Sequence, residues 1–254
     1  MVRSLDAIIS QPRILRVTLV PVFALTPIEI EALRISLIVA SASLVISLPP
    51  AVALAVLFAR RDFPGKMLLN ALVHLPLVLP PVVTGYVLLL ALGRNGPVGA
   101  WLEATFGLVL AFRWTGAAVA AAVMAFPLMV RPIRLSMEAI DPRLEAAAGT
   151  LGANVVWRFV TVTLPLAAPG IVVATILGFA RSLGEFGATV TFVSNIPGET
   201  RTIALAMHNF IQIPGGELAA FRLTIIAIVF SVLALVGSEV FSRKLYRRLR
   251  GSDA

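Results

Sequence analysis

The chain is 254 residues long, 59% hydrophobic and only 13% charged, whereas a soluble domain carries about 25% charged residues. That composition excludes an ordinary soluble domain and predicts an all-α integral membrane protein. The formal charge of +8 does not indicate a nucleic-acid partner, because the basic residues sit at the ends of apolar runs, where membrane topology places them.

In chain order, the first apolar stretch covers residues 14–27 and is short and interrupted by Pro21. It reads as a sixth span, an interfacial helix or part of an N-terminal extension over residues 1–25. It lacks the small-residue cleavage pattern of a signal peptide. Five further runs, at residues 30–60, 68–92, 114–130, 166–186 and 223–241, are long enough to cross a bilayer as helices. The first exceeds the need and is expected to tilt or project. The second carries Pro76, Pro80 and Pro81, each removing a backbone donor, and is expected to kink. His74 within it reads as an interhelical hydrogen-bonding group rather than a proton relay or metal ligand. With no cysteine and only two histidines, no metal site is expected. No internal repeat or appended soluble domain is visible, so residues 26–250 read as one transmembrane domain.

Orientation follows from lysine and arginine placement. One set of connections holds Arg60, Arg61 and Lys66, then Arg131, Arg134, Arg143 and Arg158, then the C-terminal Arg243, Lys244, Arg247, Arg248 and Arg250. The opposite set holds only Arg94, Arg113 and Arg201. The first set is therefore expected in the cytoplasm, with the C-terminus inside. A sixth span would bring Arg3 and Arg13 to the same side.

The most informative polar segment, residues 131–165, reads RPIRLSMEAIDPRLEAAAGTLGANVVWRFVTVTLP. Asp141 is a favoured N-cap and Pro142 suits the first helical position. A short helix should follow and stop at Gly152, after which Asn154 can cap a second segment leading to Leu164 and Pro165. The run Ala146, Ala147, Ala148 and Gly149 lets another surface approach the backbone closely, with Leu144 and Leu151 as apolar anchors. That pattern suits a docking helix in a partner's groove.

These residues resemble the cytoplasmic loop of ABC importer permeases. The family motif is Glu-Ala-Ala, then glycine, then a nine-residue spacer ending in Ile-x-Leu-Pro. Here Gly152 is followed by nine residues and then Val162-Thr163-Leu164-Pro165, with valine in place of isoleucine. The paired alanines at the family spacing are Ala147 and Ala148, and the acidic Glu145 is displaced by one, so no ion-pair partner is assigned to it. The resemblance implies a type I importer permease fold and a coupling role for Asp141, Pro142, Leu144, Glu145, Ala147, Ala148, Leu151, Gly152, Leu164 and Pro165. It also implies a homodimer, two cytoplasmic ATPase subunits carrying ATP and Mg, and an extracytoplasmic binding protein. The expected location is a bacterial or archaeal cytoplasmic (inner) membrane.

The segment FARSLGEFGATVTFVSNIPGETRTIALAMHNFIQIPGGE at residues 179–217 is similar to that of the molybdate permeases. So are HLPLVLPPVVTGY at 74–86, GRNGPVG at 93–99, FRWTG at 112–116 and FPLMVR at 126–131. ARSLGEFGAT is shared in outline with sulfate and thiosulfate permeases, which leaves a sulfate-type cargo as the alternative. SNIPGETRTI followed by IQIPGGE favours molybdate, and tungstate is nearly the same in size and charge.

Arg181 and Glu185 are four apart within an apolar run, on one helix face. Ionisable groups at membrane depth face a bundle interior or a watery path, so the pair reads as an interhelical lock, a pathway element or both. Gly184 and Gly187 permit a helix break, placing the gate region at residues 182–191 with Ser182, Thr189 and Thr191 as polar candidates. Residues 202–213 are expected to form a short packed helix. No phosphate-binding loop, nucleophile–base pair or carboxylate cluster occurs, so no catalytic residue is assigned. The rivals are an ion-driven secondary transporter, which calls for repeats or buried carboxylates not seen here, and an intramembrane enzyme.

Overall fold

The computed structural model describes residues 24–249, and every regular element within them is a helix. The element expected at residues 14–27 lies outside the described residues except at its C-terminal end. There Pro27 begins α1 (Pro27–Arg60). Thr26 caps that helix through a reciprocal box: its hydroxyl accepts from the Glu29 N–H, and Glu29 Oε2 accepts from the Thr26 N–H at 2.6 Å. Thirty-four residues at 1.5 Å each extend about 51 Å, well beyond the ~30 Å hydrocarbon core.

The second span is broken more sharply than a kink. The chain bends by 114° between α2 (Lys66–Val78) and α3 (Pro81–Leu92). A residue before proline is pushed out of the helical region, and Pro80-Pro81 imposes this on two residues in succession. Leu79 and Pro80 accordingly take extended backbone, with ψ of 143° and 133°. His74 Nδ1 lies 2.8 Å from the Asn70 carbonyl, one turn back on its own helix; among the described residues this intrahelical contact replaces the expected interhelical bond. α4 (Pro97–Phe106) follows, a short helix that the apolar runs do not reveal.

α5 (Trp114–Glu138) does not stop at residue 130 but continues through Arg131, Pro132 and Arg134. Within the segment 131–165, only residues 139–141 and 151–154 therefore lie outside helices. Packing overrides the two internal prolines: Ala117, Ala118, Ala120, Ala121 and Ala125 are buried, and this small-residue face lets α1 and α8 approach closely. Arg134 also donates to Glu138 at 2.7 Å, sustaining the last turn. After α6 (Pro142–Thr150), α7 (Val155–Arg158) runs through a π-turn, Phe159–Thr163, into α8 (Leu164–Leu183). The fourth span is therefore one stretch, Val155–Leu183, which starts earlier and ends sooner than expected. Pro165 explains the wide turn, since its ring clashes with a carbonyl four residues back and the Leu164 N–H reaches Phe159 instead.

α9 (Gly187–Val193), α10 (Ile203–Ile211) and α11 (Glu217–Leu249) complete the described chain. Among the described residues, four continuous helices are long and apolar enough to cross a membrane, and the bent pair α2–α3 makes a fifth if counted as one span. Apolar side chains such as Val45, Leu68, Val78, Leu90 and Leu233 face outward, which suits lipid or another protein surface rather than water.

The bundle has two distinct ends. The C-terminus of α1, α6, α7 and the base of α8 gather at one. The N-termini of α1, α5 and α11 gather at the other with α9 and α10. There Arg222 donates twice to the buried Glu29 carboxylate, at 2.8 and 3.0 Å. Nearby, the Ile203 N–H donates to Ser36 Oγ at 2.7 Å.

Candidate functional site

At the first end α6 is built as the sequence predicts. The Asp141 side chain accepts from the Arg143 N–H at 2.9 Å, and Pro142 opens the helix. Gly152 takes φ +86°, its N–H bonds to Gly149 O at 3.0 Å, and the Ala153 N–H returns to Ala148 O at 3.1 Å. This is the paired closure that requires a left-handed residue, hence glycine. Asn154 then caps α7 by accepting from the Trp157 N–H at 2.8 Å.

α6 has an outer and an inner face. Leu144, Ala147 and Leu151 are exposed, Leu151 to 89%, and their i, i+3, i+7 spacing makes one unpartnered stripe. On the inner face, Glu145 Oε1 accepts from Arg60 Nη2 at 2.5 Å and from Thr163 Oγ1 at 2.6 Å. One carboxylate thus joins α6 to the end of α1 and to the π-turn beneath α8. The sequence did not expose this partner, which lies 85 positions away. Leu164 is half-buried and Pro165 exposed in the first turn of α8, beside Thr163. Val155, Val156 and Trp157 on α7 are also exposed, an apolar patch that sequence reading did not single out.

The second cluster lies at the far end of α8. That helix stops at Leu183, so Glu185 sits in the break rather than on a continuous helix. Its buried carboxylate lies 2.7 Å from Arg181 Nη1 and accepts from the Ala188 N–H at 2.9 Å, capping α9. A carboxylate here favours the positive helix end. Ser182 is buried and accepts from Ser43 Oγ on α1 at 2.7 Å. Thr189 is buried at 1% exposure, facing protein, while Thr191 donates to its own helix at Gly187 O, 2.8 Å. Arg181, Ser182 and Glu185 therefore converge on the break, and the two threonines sit on α9 just beyond it.

α9 crosses α3 at very short range. A Cβ on Gly85 would fall 2.5 Å from Ala188 O and 2.9 Å from Thr191 Cβ, so only glycine fits this crossing. Beyond α9, Ser194 holds φ 63° and ψ −168°, a region that non-glycine residues rarely occupy. The loop that follows is pinned by Thr200, whose Oγ1 accepts from the Ile196 N–H at 2.8 Å and donates to Ser194 O at 3.0 Å.

Comparison with known proteins places the chain in a family. Residues 51–250 match the family described as binding-protein-dependent transport system inner membrane component. The chain is 56% identical over 222 residues to the molybdenum transport system permease protein ModB of Haemophilus influenzae, covering 87% of this chain and 96% of that protein. It is 57% identical over 220 residues to the protein of the same name from Escherichia coli, covering 86% and 96%. Among solved structures, a bacterial ABC transporter that imports the acidic polysaccharide alginate superposes with a TM-score of 0.66 at 18% identity, over 97% of this chain and 91% of that one.

Proposed function

Because this chain belongs to the binding-protein-dependent inner membrane transport components, we propose that it is the channel-forming subunit of an ATP-driven importer carrying molybdate, or the closely similar tungstate, into the cytoplasm. It is a multi-pass permease of a bacterial inner membrane, and residues 26–250 form its permease unit. The observation that carries the cargo is the 56% identity with a molybdenum permease across nearly that protein's whole length.

The α6 end is the cytoplasmic end, with the C-terminus, by the placement of lysine and arginine. There the stripe Leu144, Ala147 and Leu151 enters a groove on an ATPase subunit, one for each copy of this chain in a homodimer. ATP and Mg bind on those subunits and hydrolysis takes place there; this chain supplies no catalytic group. Asp141, Pro142 and Gly152 fix the ends of α6, Ala148 seats it, and Glu145 passes its displacement to α1 and, through Thr163, Leu164 and Pro165, to α8. A rigid helix with a hydrogen-bonded anchor is the kind of contiguous element that carries coupling.

The far end of α8 is the break at Arg181, Ser182 and Glu185, and α9 with Thr189 and Thr191 is the gate that α8 moves. Arg181 attracts a tetrahedral dianion, but its charge is shared with Glu185, so the cargo is held weakly and released. An extracytoplasmic molybdate-binding protein docks over the α10 end, and the second copy of the chain closes the path. In vesicles holding the assembled complex, labelled molybdate uptake is expected to be competed by tungstate and not by equal sulfate. Equal competition by sulfate would transfer the assignment to a sulfate permease.

A further inference from the structure

Between the end of α1, the inner face of α6 and the start of α7 lies a cavity of about 640 Å³, bordered by the Arg60–Glu145–Thr163 anchor. Its inner wall is apolar, formed by Ala53, Val56 and Leu57 on the last turns of α1 with Phe159 of the π-turn. Its rim is cationic, with Arg60, Arg61 and Arg158. The only acid there, Glu145, is already engaged by Arg60 and Thr163. Among the described residues Arg61 and Arg158 make no ion pair, and Arg158 Nε is buried with no hydrogen-bond partner. A buried guanidinium donor without an acceptor calls for one. Trp157, 62% exposed, stands beside the rim with Val155 and Val156, where an aromatic suits the membrane–water boundary.

We infer that this cavity binds the headgroup of an anionic phospholipid, its phosphate on Arg61 and Arg158 and an acyl chain along Ala53, Val56, Leu57 and Phe159. Charge complementarity selects the phosphate, since guanidinium groups bind phosphate oxygens bidentately. The apolar wall selects a lipid over a free oxyanion, which would leave that wall wet. The site adjoins the Glu145 anchor, so an occupying lipid braces α6 against α1 and raises the efficiency with which ATP hydrolysis drives uptake. The inference rests on the importer reading only for that last consequence; binding itself stands apart from transport.

The test uses the full chain in its assembled complex, exchanged into nanodiscs of phosphatidylcholine with or without phosphatidylglycerol. Native mass spectrometry then counts retained lipid. Wild-type complex is expected to retain phosphatidylglycerol preferentially. Arg61→Gln, at an exposed residue whose side chain has no partner among the described residues and so no reason to misfold, is expected to reduce retention about five-fold, the equivalent of the ~1 kcal/mol that each basic residue gains at an anionic surface. Arg61→Gln combined with Arg158→Gln is expected to abolish the preference. Unchanged retention in Arg61→Gln would overturn the site. Displacement of the lipid by millimolar inorganic phosphate or molybdate would overturn the lipid assignment in favour of a free oxyanion. Retention can be read even if the complex transports nothing, so failure here and failure of the importer reading are separable.

Discussion

Glu145 is the residue on which α6 is hung, since its Oε1 accepts hydrogen bonds from both Arg60 and Thr163. Its side chain is 26% exposed, so solvent screens part of the pair, and Glu145→Gln should cost about 1 kcal/mol of stability. The larger effect should fall on coupling: molybdate imported per ATP hydrolysed drops while basal hydrolysis persists, measured together on the same vesicles. Gly152 acts differently. Nothing lies within 4 Å of a Cβ there, so a substitution meets no clash, only the cost of φ +86°. Gly152→Val should therefore lose about 1–3 kcal/mol and uncouple, whereas Gly152→Asn should keep much of the coupling because asparagine tolerates the left-handed region. Equal coupling in the valine and asparagine variants would show that the closure of α6 is not what Gly152 supplies. Asp141, Gly152 and Asn154 were legible in the sequence because caps are local chemistry. The partner of Glu145 was not, because the one-position displacement hid it and Arg60 is distant in the chain.

Among the elements, long apolar runs located the five spanning segments, and a proline run marked the second as irregular. Prolines announce lost hydrogen bonds but not the direction of a bend, so the 114° turn between α2 and α3 was beyond that reading. The boundary of α5 was missed for the converse reason: Arg131, Pro132 and Arg134 look like a loop, yet packing on α1 and α8 carries the helix to Glu138. The break after α8 followed from Gly184 and Gly187, although Glu185 as the cap of α9 did not. The α3–α9 crossing makes the sharpest prediction at this scale. Gly85→Ala places a Cβ 2.5 Å from the Ala188 carbonyl, which forces the helices apart at about 1–3 kcal/mol. Thermal melting of the purified complex should fall and uptake should drop, whereas Gly237→Ala, on helical backbone within α11 where a Cβ meets nothing within 4 Å, should leave transport intact. Normal uptake by Gly85→Ala would remove this crossing from the gate.

For the whole molecule, the proposed function joins two ends of one bundle: under it, work enters at α6, passes through the Glu145 anchor into α8, and reaches the break at Glu185 that sets α9. The family was legible from the α6 segment, and the likeness to molybdenum permeases from the distinctive run at residues 179–217, because both are continuous stretches that a sequence motif can carry. The path between them was not legible, since it consists of contacts between distant residues. The most direct test compares two preparations in sealed vesicles loaded with ATP and Mg: the complete complex with its binding protein, and the isolated chain under an imposed proton or sodium gradient. The account predicts labelled molybdate accumulation only with the complete complex, and its loss when ATP is omitted. Accumulation by the isolated chain, driven by the ion gradient alone, would contradict it.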